Sequence, residues 1–151
     1  MTRVLLAAAF LLLNVAAHAG EPSKTITISD LWMRASLGRV PTTAAYVKIE
    51  NRGTTEDKLL AVSTPAAAKA HIHNSVTTDA GVAQMRAVTA LSVKPGEKVD
   101  LTPGAMHIMI MNLKAPLKAG AMVPMTFKFE QAGEITVEAE VRGLDGQPHK
   151  H

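Results

Sequence analysis

The sequence predicts an all-β protein built as an antiparallel β-sandwich or barrel. Apolar and polar residues alternate with a period of two over most of the chain, which is the pattern of half-buried strands. Turn residues recur about every ten positions between these segments, as they do in sandwiches and barrels. No long stretch shows the 3.6-residue period of an amphipathic helix. With 151 residues, the chain is long enough for one domain with a substantial core.

The first 19 residues have the features of a secretory signal peptide. Arg3 supplies the positive start, residues 4–13 form an apolar run, and a small-x-small cleavage site ends at Ala19. The apolar run is shorter than the roughly 20 residues that span a membrane, although an uncleaved anchor is the alternative. We therefore expect a cleavable signal peptide over residues 1–19 and a mature protein in the periplasm.

Strand-like segments then follow one another at short intervals. Each segment is identified by the alternation of apolar and polar residues. In residues 43–50, for example, Ala45, Val47 and Ile49 alternate with more polar neighbours. The last two segments join at Ala132-Gly133 and predict a hairpin with one wet face. The predicted strands are residues 25–29, 31–35 (with Trp32, expected in the core), 43–50, 57–63, 69–74, 82–88, 99–102, 103–112, 123–130 and 135–142. The domain therefore covers residues 20–142, and the Gly- and Pro-containing residues 143–151 are expected to be a flexible C-terminal tail.

Charge and cysteine usage exclude several classes of protein. The formal net charge is +3, and without the leader 15 basic and 13 acidic residues leave +2. This balance argues against a nucleic-acid partner or stable binding to an acidic membrane. The chain has no cysteine, so it has no disulfide, no lipid-modified cysteine and no blue-copper site, which needs a thiolate.

The strand at residues 103–112 carries the most informative pattern. Alternation places Met106, Ile108 and Ile110 on one face, which we expect to be core. His107 and Met109 lie on the other face, roughly 7 Å apart along the strand, with Met111 beyond them. Imidazole plus thioether is a soft ligand pair that suits copper and suits magnesium or calcium poorly. Taken alone, this strand is better explained as a packed methionine-rich core strand, and the case for a metal site depends on the other residues that could complete it.

Other residues could complete a metal site with this pair. His71 and His73 share a face of their strand, and the following hairpin could bring Met85 close to His73. Two neutral imidazoles and two thioethers form a soft, uncharged ligand set that prefers Cu(I) to Zn(II). His149 and His151 in the tail could form an accessory copper site, although a solvated tail is the favoured interpretation.

The spacing of these residues resembles that of a known family. His73-Asn74, ten residues, Met85, twenty-one residues and His107-x-Met109 follow in order, and the segment Pro103 to Met109 and the last hairpin also match. The chain resembles the periplasmic copper chaperone PCu(A)C family over roughly residues 25–142. It departs from the family pattern in two places, with Asn74 where the family often has Met and His71 where it often has an acidic residue.

The resemblance implies a cupredoxin-like (Greek-key) antiparallel β-sandwich that binds one Cu(I) ion and is not an enzyme. It implies the metal ligands His73, Met85, His107 and Met109, and His71 leaves the first of these assignments open. It also implies copper delivery by a monomer toward the CuA subunit of cytochrome c oxidase, often alongside a Sco-type thioredoxin-like protein.

Two other functions fit the sequence. A periplasmic protein-interaction module without metal would scatter the four residues or bury them among apolar neighbours. A copper storage or resistance protein would share the copper site but lack specific delivery. An enzyme fits poorly, because Ser63, His107 and an aspartate lack the local motif of a catalytic triad.

Overall fold

A computed structural model describes residues 25–36, 38 and 40–147, so the predicted leader and the tail residues His149 and His151 lie outside the described part. The described residues form ten strands, and no helix among them is long and apolar enough to cross a membrane. The strands are β1 (Ile26–Arg34), β2 (Thr42–Asn51), β3 (Asp57–Ser63), β4 (Ala67–Thr77), β5 (Ala83–Val88), β6 (Leu91–Val93), β7 (Lys98–Leu101), β8 (Met106–Leu113), β9 (Met122–Phe129) and β10 (Glu134–Arg142).

The strands hydrogen-bond in the order β5-β4-β8-β2-β1-β10-β9-β3-β6, with β7 paired to β2 beside this path. Every pair but one is antiparallel, as the sequence predicts. The exception is β1 with β10, which run parallel and place Trp32 next to Glu140. The first and last strands therefore meet in the middle of the order and join its two halves.

One hydrophobic core receives side chains from both halves of this order. Ile49, Ile108 and Ile110 come from β2 and β8, and Met125 and Phe127 come from β9; all five are fully buried. The predicted inward faces of β2 and β8 are therefore confirmed, and Met106 packs against the same cluster. Because alternate residues of each strand enter the core, the intervening residues face outward.

The structure corrects the prediction at two places. The predicted segments 25–29 and 31–35 belong to one strand, β1. The alternation is interrupted within it because Asp30 adopts a positive φ of 49° and the register shifts between Ser29 and Trp32. The three-residue strand β6 was not predicted, because so short a segment carries almost no periodicity. Trp32 is buried, as expected, on the side of β1 opposite to Met33, where its ring centroid lies 4.4 Å from that of Tyr46.

Asp57 is a buried carboxylate that fastens the β9–β10 turn to β3. Its Oδ1 accepts hydrogen bonds from the backbone N–H groups of Lys58 and Gln131, and its Oδ2 accepts one from Ala132, all within 2.9 Å. Carboxylate-to-amide hydrogen bonds are among the stronger ones, and loss of the acceptor leaves buried donors unpaired. Asp57 therefore ties the start of β3 to the β9–β10 turn.

We expect Asp57→Ala to lower the free energy of unfolding by roughly 2–4 kcal/mol, since about three charge-assisted hydrogen bonds are lost. Urea unfolding followed by circular dichroism measures this loss. Glu134→Ala removes an exposed carboxylate from β10 and is the matched control, expected to change the same quantity by less than about 0.5 kcal/mol. Equal effects of the two substitutions would contradict the role given to Asp57.

Candidate metal centre

The pairing of β4 with β8 brings two of the predicted ligands together. His73 lies directly opposite His107, and the neighbouring pair Ile72 and Ile108 points into the core. The two imidazole rings are therefore on the outer face, with centroids 6.2 Å apart and planes at 86°. This edge-to-face arrangement leaves space between the rings in which one ion could touch a nitrogen of each.

Met109 extends the same face by one step along β8. It is half-buried, and it lies opposite His71 on β4 and opposite Ala44 on β2. His71 is exposed and shares the outer face with His73. The structure thus places both β4 histidines beside the His107–Met109 pair, and only His73 lies opposite His107.

Met85 comes from the neighbouring strand β5. It lies opposite Ser75, which makes it the diagonal neighbour of His73 on the same face. Diagonal neighbours are roughly 7–8 Å apart, within reach of a long side chain. Met85 is 62% exposed and belongs to a part of the β4–β5 hairpin that extends beyond the pairing with β8, which ends at Asn74 and Met106. All four predicted ligands therefore lie on one face of three adjacent strands.

His107 is held in a defined orientation by the backbone. Its side chain is buried, and its Nδ1 lies 3.0 Å from the carbonyl oxygen of Ala105. Because a carbonyl only accepts, Nδ1–H donates this bond and Nε2 keeps its lone pair in the neutral ring. Metal-binding histidines commonly use this arrangement, which fixes the tautomer. Sequence analysis did not identify Ala105, since a backbone acceptor has no residue-type signal.

His73 has an unused ring nitrogen. Its Nδ1 is buried and has no hydrogen-bond partner within the described structure. Burial, and then the positive charge that His107 and His71 would carry, lower the pKa of His73 from its ordinary value of 6.5. The ring is therefore neutral at neutral pH and holds a free lone pair, which fits a soft metal ion.

The chemical character of the site follows from what surrounds these rings. Nowhere in the described part of the chain do three or more His, Cys, Asp or Glu side chains come together as a metal cluster. A site that combines two imidazoles with two thioethers is thus uncharged and soft, and suits Cu(I). Met111, one step beyond Met109, is half-buried opposite Thr42 and Lys69.

The fold and this face define an all-β domain that displays a histidine–methionine cluster on its outer surface. The model of the family described as "Putative lipoprotein LpqE-like" matches residues 26–141, most of the described chain. The protein therefore belongs to the LpqE-like family. Its resemblance to the PCu(A)C family is confirmed as well, because PCuAC domains are among its solved structural relatives. These relatives also confirm the cupredoxin-like all-β fold.

Three relatives show the extent of the similarity. The "Putative lipoprotein Lxx21020" of Leifsonia xyli is 28% identical over 127 residues, which cover 84% of this chain and 75% of the relative. The copper-bound PCuAC domain from PmoF2 superposes with a TM-score of 0.68 at 25% identity, covering 79% of this chain and 93% of that domain. The solution structure of CuI-DR1885 from Deinococcus radiodurans gives 0.61 at 28% identity, covering 84% and 83%.

We expect His73 of the metal-free protein to titrate below 6.5, its ordinary value. Nuclear magnetic resonance of the ring protons measures this pKa, and a peptide with the sequence of residues 69–77 gives the unfolded reference. His107→Gln removes one of the causes and raises the pKa of His73, but burial keeps it below the reference.

The same shift makes stability depend on pH. The unfolded chain binds the His73 proton more tightly than the folded protein does, so the free energy of unfolding falls as the pH drops below 6.5. His73→Gln is expected to remove this part of the pH dependence. A pKa of His73 equal to that of the peptide would contradict the prediction.

Proposed function

We propose that the protein binds one Cu(I) ion through His73, Met85, His107 and Met109 and acts as a non-enzymatic copper chaperone. The observation that carries this proposal is the meeting of the His73 and His107 imidazoles on one outer face, with ring centroids 6.2 Å apart. The Nδ1 of His73 has no hydrogen-bond partner within the described structure, the Nδ1 of His107 is paired with the Ala105 carbonyl, and the two methionines share the face of these rings. Copper-bound relatives with the same fold, the PmoF2 domain and CuI-DR1885, support it.

The ligand types suit an ion that is carried and released. Thioethers need no deprotonation, so only the histidines couple Cu(I) binding to pH. Without a thiolate, the site holds Cu(I) through weaker donors that are also harder to oxidise outside the cytoplasm. An acceptor can then replace the ligands one at a time.

Burial sets an order for that replacement. Met85 is 62% exposed and His107 only 7%, so an incoming acceptor ligand meets Met85 first and His107 last. Copper thus leaves from the β5 side while His107, held by Ala105, keeps it bound until the new ligands are in place. A transient complex with a small interface is sufficient for this exchange.

The proposed setting is the periplasm, reached through a cleavable signal peptide, where the monomeric protein delivers copper toward the CuA subunit of cytochrome c oxidase. A Sco-type thioredoxin-like protein is the proposed second partner. A copper storage protein would use the same site, so delivery has to be measured separately from binding. An interaction module without metal is the less favoured function, because the four residues lie together on one outer face.

Copper binding is tested by Cu(I) competition titration under reducing conditions. We expect the parent to bind one equivalent, and the Met85→Ala, Met109→Ala double variant to bind at least about 100-fold more weakly because two of four donors are lost. Met122→Ala is the matched control, since Met122 is also exposed (57%) but lies on β9, and it should bind as the parent does. Equal, weak binding by parent and double variant would refute the copper site.

The same titration distinguishes the two β4 histidines. His73→Ala removes the ring opposite His107 and should weaken Cu(I) binding strongly, whereas His71→Ala should leave one equivalent bound with an affinity within about three-fold of the parent. A larger effect of His71→Ala would reassign the first ligand to His71.

Delivery is tested by mixing the Cu(I)-loaded protein with a soluble metal-free CuA domain. A transfer rate that exceeds the rate of spontaneous copper release and rises with acceptor concentration would support a chaperone. Release that is independent of acceptor concentration would instead favour storage.

A further inference from the structure

Arg34 is a half-buried cation that has no ion-pair partner among the described residues. Its Nε–H is buried and donates no hydrogen bond within the described structure, and no described carboxylate lies within 4.0 Å of its guanidinium. Its neighbour in the β1–β10 register, Arg142, pairs with both Asp30 and Glu140. Burying an unpaired charge and an unsatisfied donor is costly, so an anion supplied from outside would be stabilised here.

The space for such an anion is present. Arg34 lines an open cavity of about 280 Å³ together with residues of the β1–β2 connection, the first part of β2 and Leu144. Arg34 faces outward because its neighbour Met33 is fully buried in the core. The Thr43 hydroxyl donates to the Arg34 carbonyl and Ser36 Oγ accepts from the Leu117 N–H. Among the described residues that line the cavity, Arg34 carries the charge.

The cavity borders the candidate copper site. Two residues of its lining, Ala44 and Thr42, lie directly opposite Met109 and Met111 on β8. Neighbouring strands are roughly 4.8 Å apart, so the β1 backbone at Arg34 lies about 10 Å from β8, with only the methyl group of Ala44 between. A group bound at Arg34 would therefore sit beside Met109.

A second unpaired cation lies on the far side of the same methionines. Lys69 on β4 is exposed, is opposite Met111, and makes no ion pair within the described residues. Arg34 and Lys69 thus flank Met109 and Met111 with positive charge. This pattern is complementary to an acidic protein surface and not to a basic one.

We propose that the Arg34 cavity binds an aspartate or glutamate carboxylate of the copper acceptor and so positions that acceptor beside Met109. The planar guanidinium matches a carboxylate through two parallel hydrogen bonds, which a lysine cannot reproduce. The identity of the partner as a copper acceptor rests on the proposed function, whereas the carboxylate site itself does not. A free small carboxylate is the other possible source of the same group, and the test separates the two.

The site is tested first on the metal-free, ¹⁵N-labelled protein. Acetyl-triglutamate amide is titrated in, with acetyl-triglutamine amide and acetate at equal ionic strength as control probes. We expect a saturable shift of the Arg34 Nε–Hε signal with the glutamate peptide, at least about five-fold tighter than with acetate. The Arg52 signal, from an exposed arginine already paired with Glu50, should not saturate. Equal affinity for acetate would make the cavity a site for free carboxylates, and absence of a saturable Arg34 shift would overturn the proposal.

The role in transfer is tested with two synthetic Cu(I) acceptors, a His-Met-His peptide followed by three glutamates and the same peptide followed by three glutamines. From the parent we expect roughly ten-fold faster transfer to the glutamate peptide. Arg34→Gln should abolish this preference and Arg34→Lys should restore little of it, since charge without the planar fork is not sufficient. Arg52→Gln removes the same charge elsewhere and should keep the preference.

These outcomes keep the two proposals distinct. If the parent binds no Cu(I) but the Arg34 signal still saturates with the glutamate peptide, the proposed function fails and the carboxylate site stands. A different result would refute the Arg34 site. If the parent and Arg34→Gln bind Cu(I) with equal affinity, but Arg34→Gln and Arg52→Gln lose the preference for the glutamate peptide to the same extent, the overall positive charge explains that preference.

Discussion

The register between β4 and β8 is the constraint on which the candidate site depends. Ile72 and Ile108 lie opposite each other in the core, as do Ala70 and Ile110, and these apolar pairs fix the alignment of the two strands. A slip of one residue would turn the histidines inward and expose the isoleucines, a change that the core would oppose. The hydrophobic pairs therefore decide where the imidazoles meet, although they never touch a metal.

The site combines rigid and accessible parts. His107 is buried and held by the Ala105 carbonyl, which follows the turn in which Ala105 N–H donates to Thr102. Met85, by contrast, stands on a hairpin extension and faces solvent. A gradient of burial across one site is what a carrier requires, because firm holding and easy exchange must be provided by different ligands. The unpaired Arg34 adds a means of recognising the acceptor next to the same ligands.

Much of the fold could be predicted from alternation, and the errors of that prediction have a common cause. The faces of β2 and β8 and the β9–β10 hairpin follow from local pattern and turn residues, and the structure has them. The parallel contact of β1 with β10 joins segments more than a hundred residues apart, which no local pattern reports. Trp32 is buried as expected, but its contacts with the ring of Tyr46 and the guanidinium of Arg142 come from other strands, so no local pattern reports them.

The sequence by itself determined the donor types of the candidate site, the strand faces that carry them and the absence of a thiolate, because these depend on residue identity and on a period of two. Only the tertiary structure decided that His73, and not His71, lies opposite His107, and that Met85 reaches the site diagonally. It also decided that His107 Nδ1 is paired with a backbone carbonyl, whereas His73 Nδ1 and Arg34 Nε have no hydrogen-bond partner in the described part of the chain. These features depend on register and burial, which arise when strands distant in sequence pack on one core.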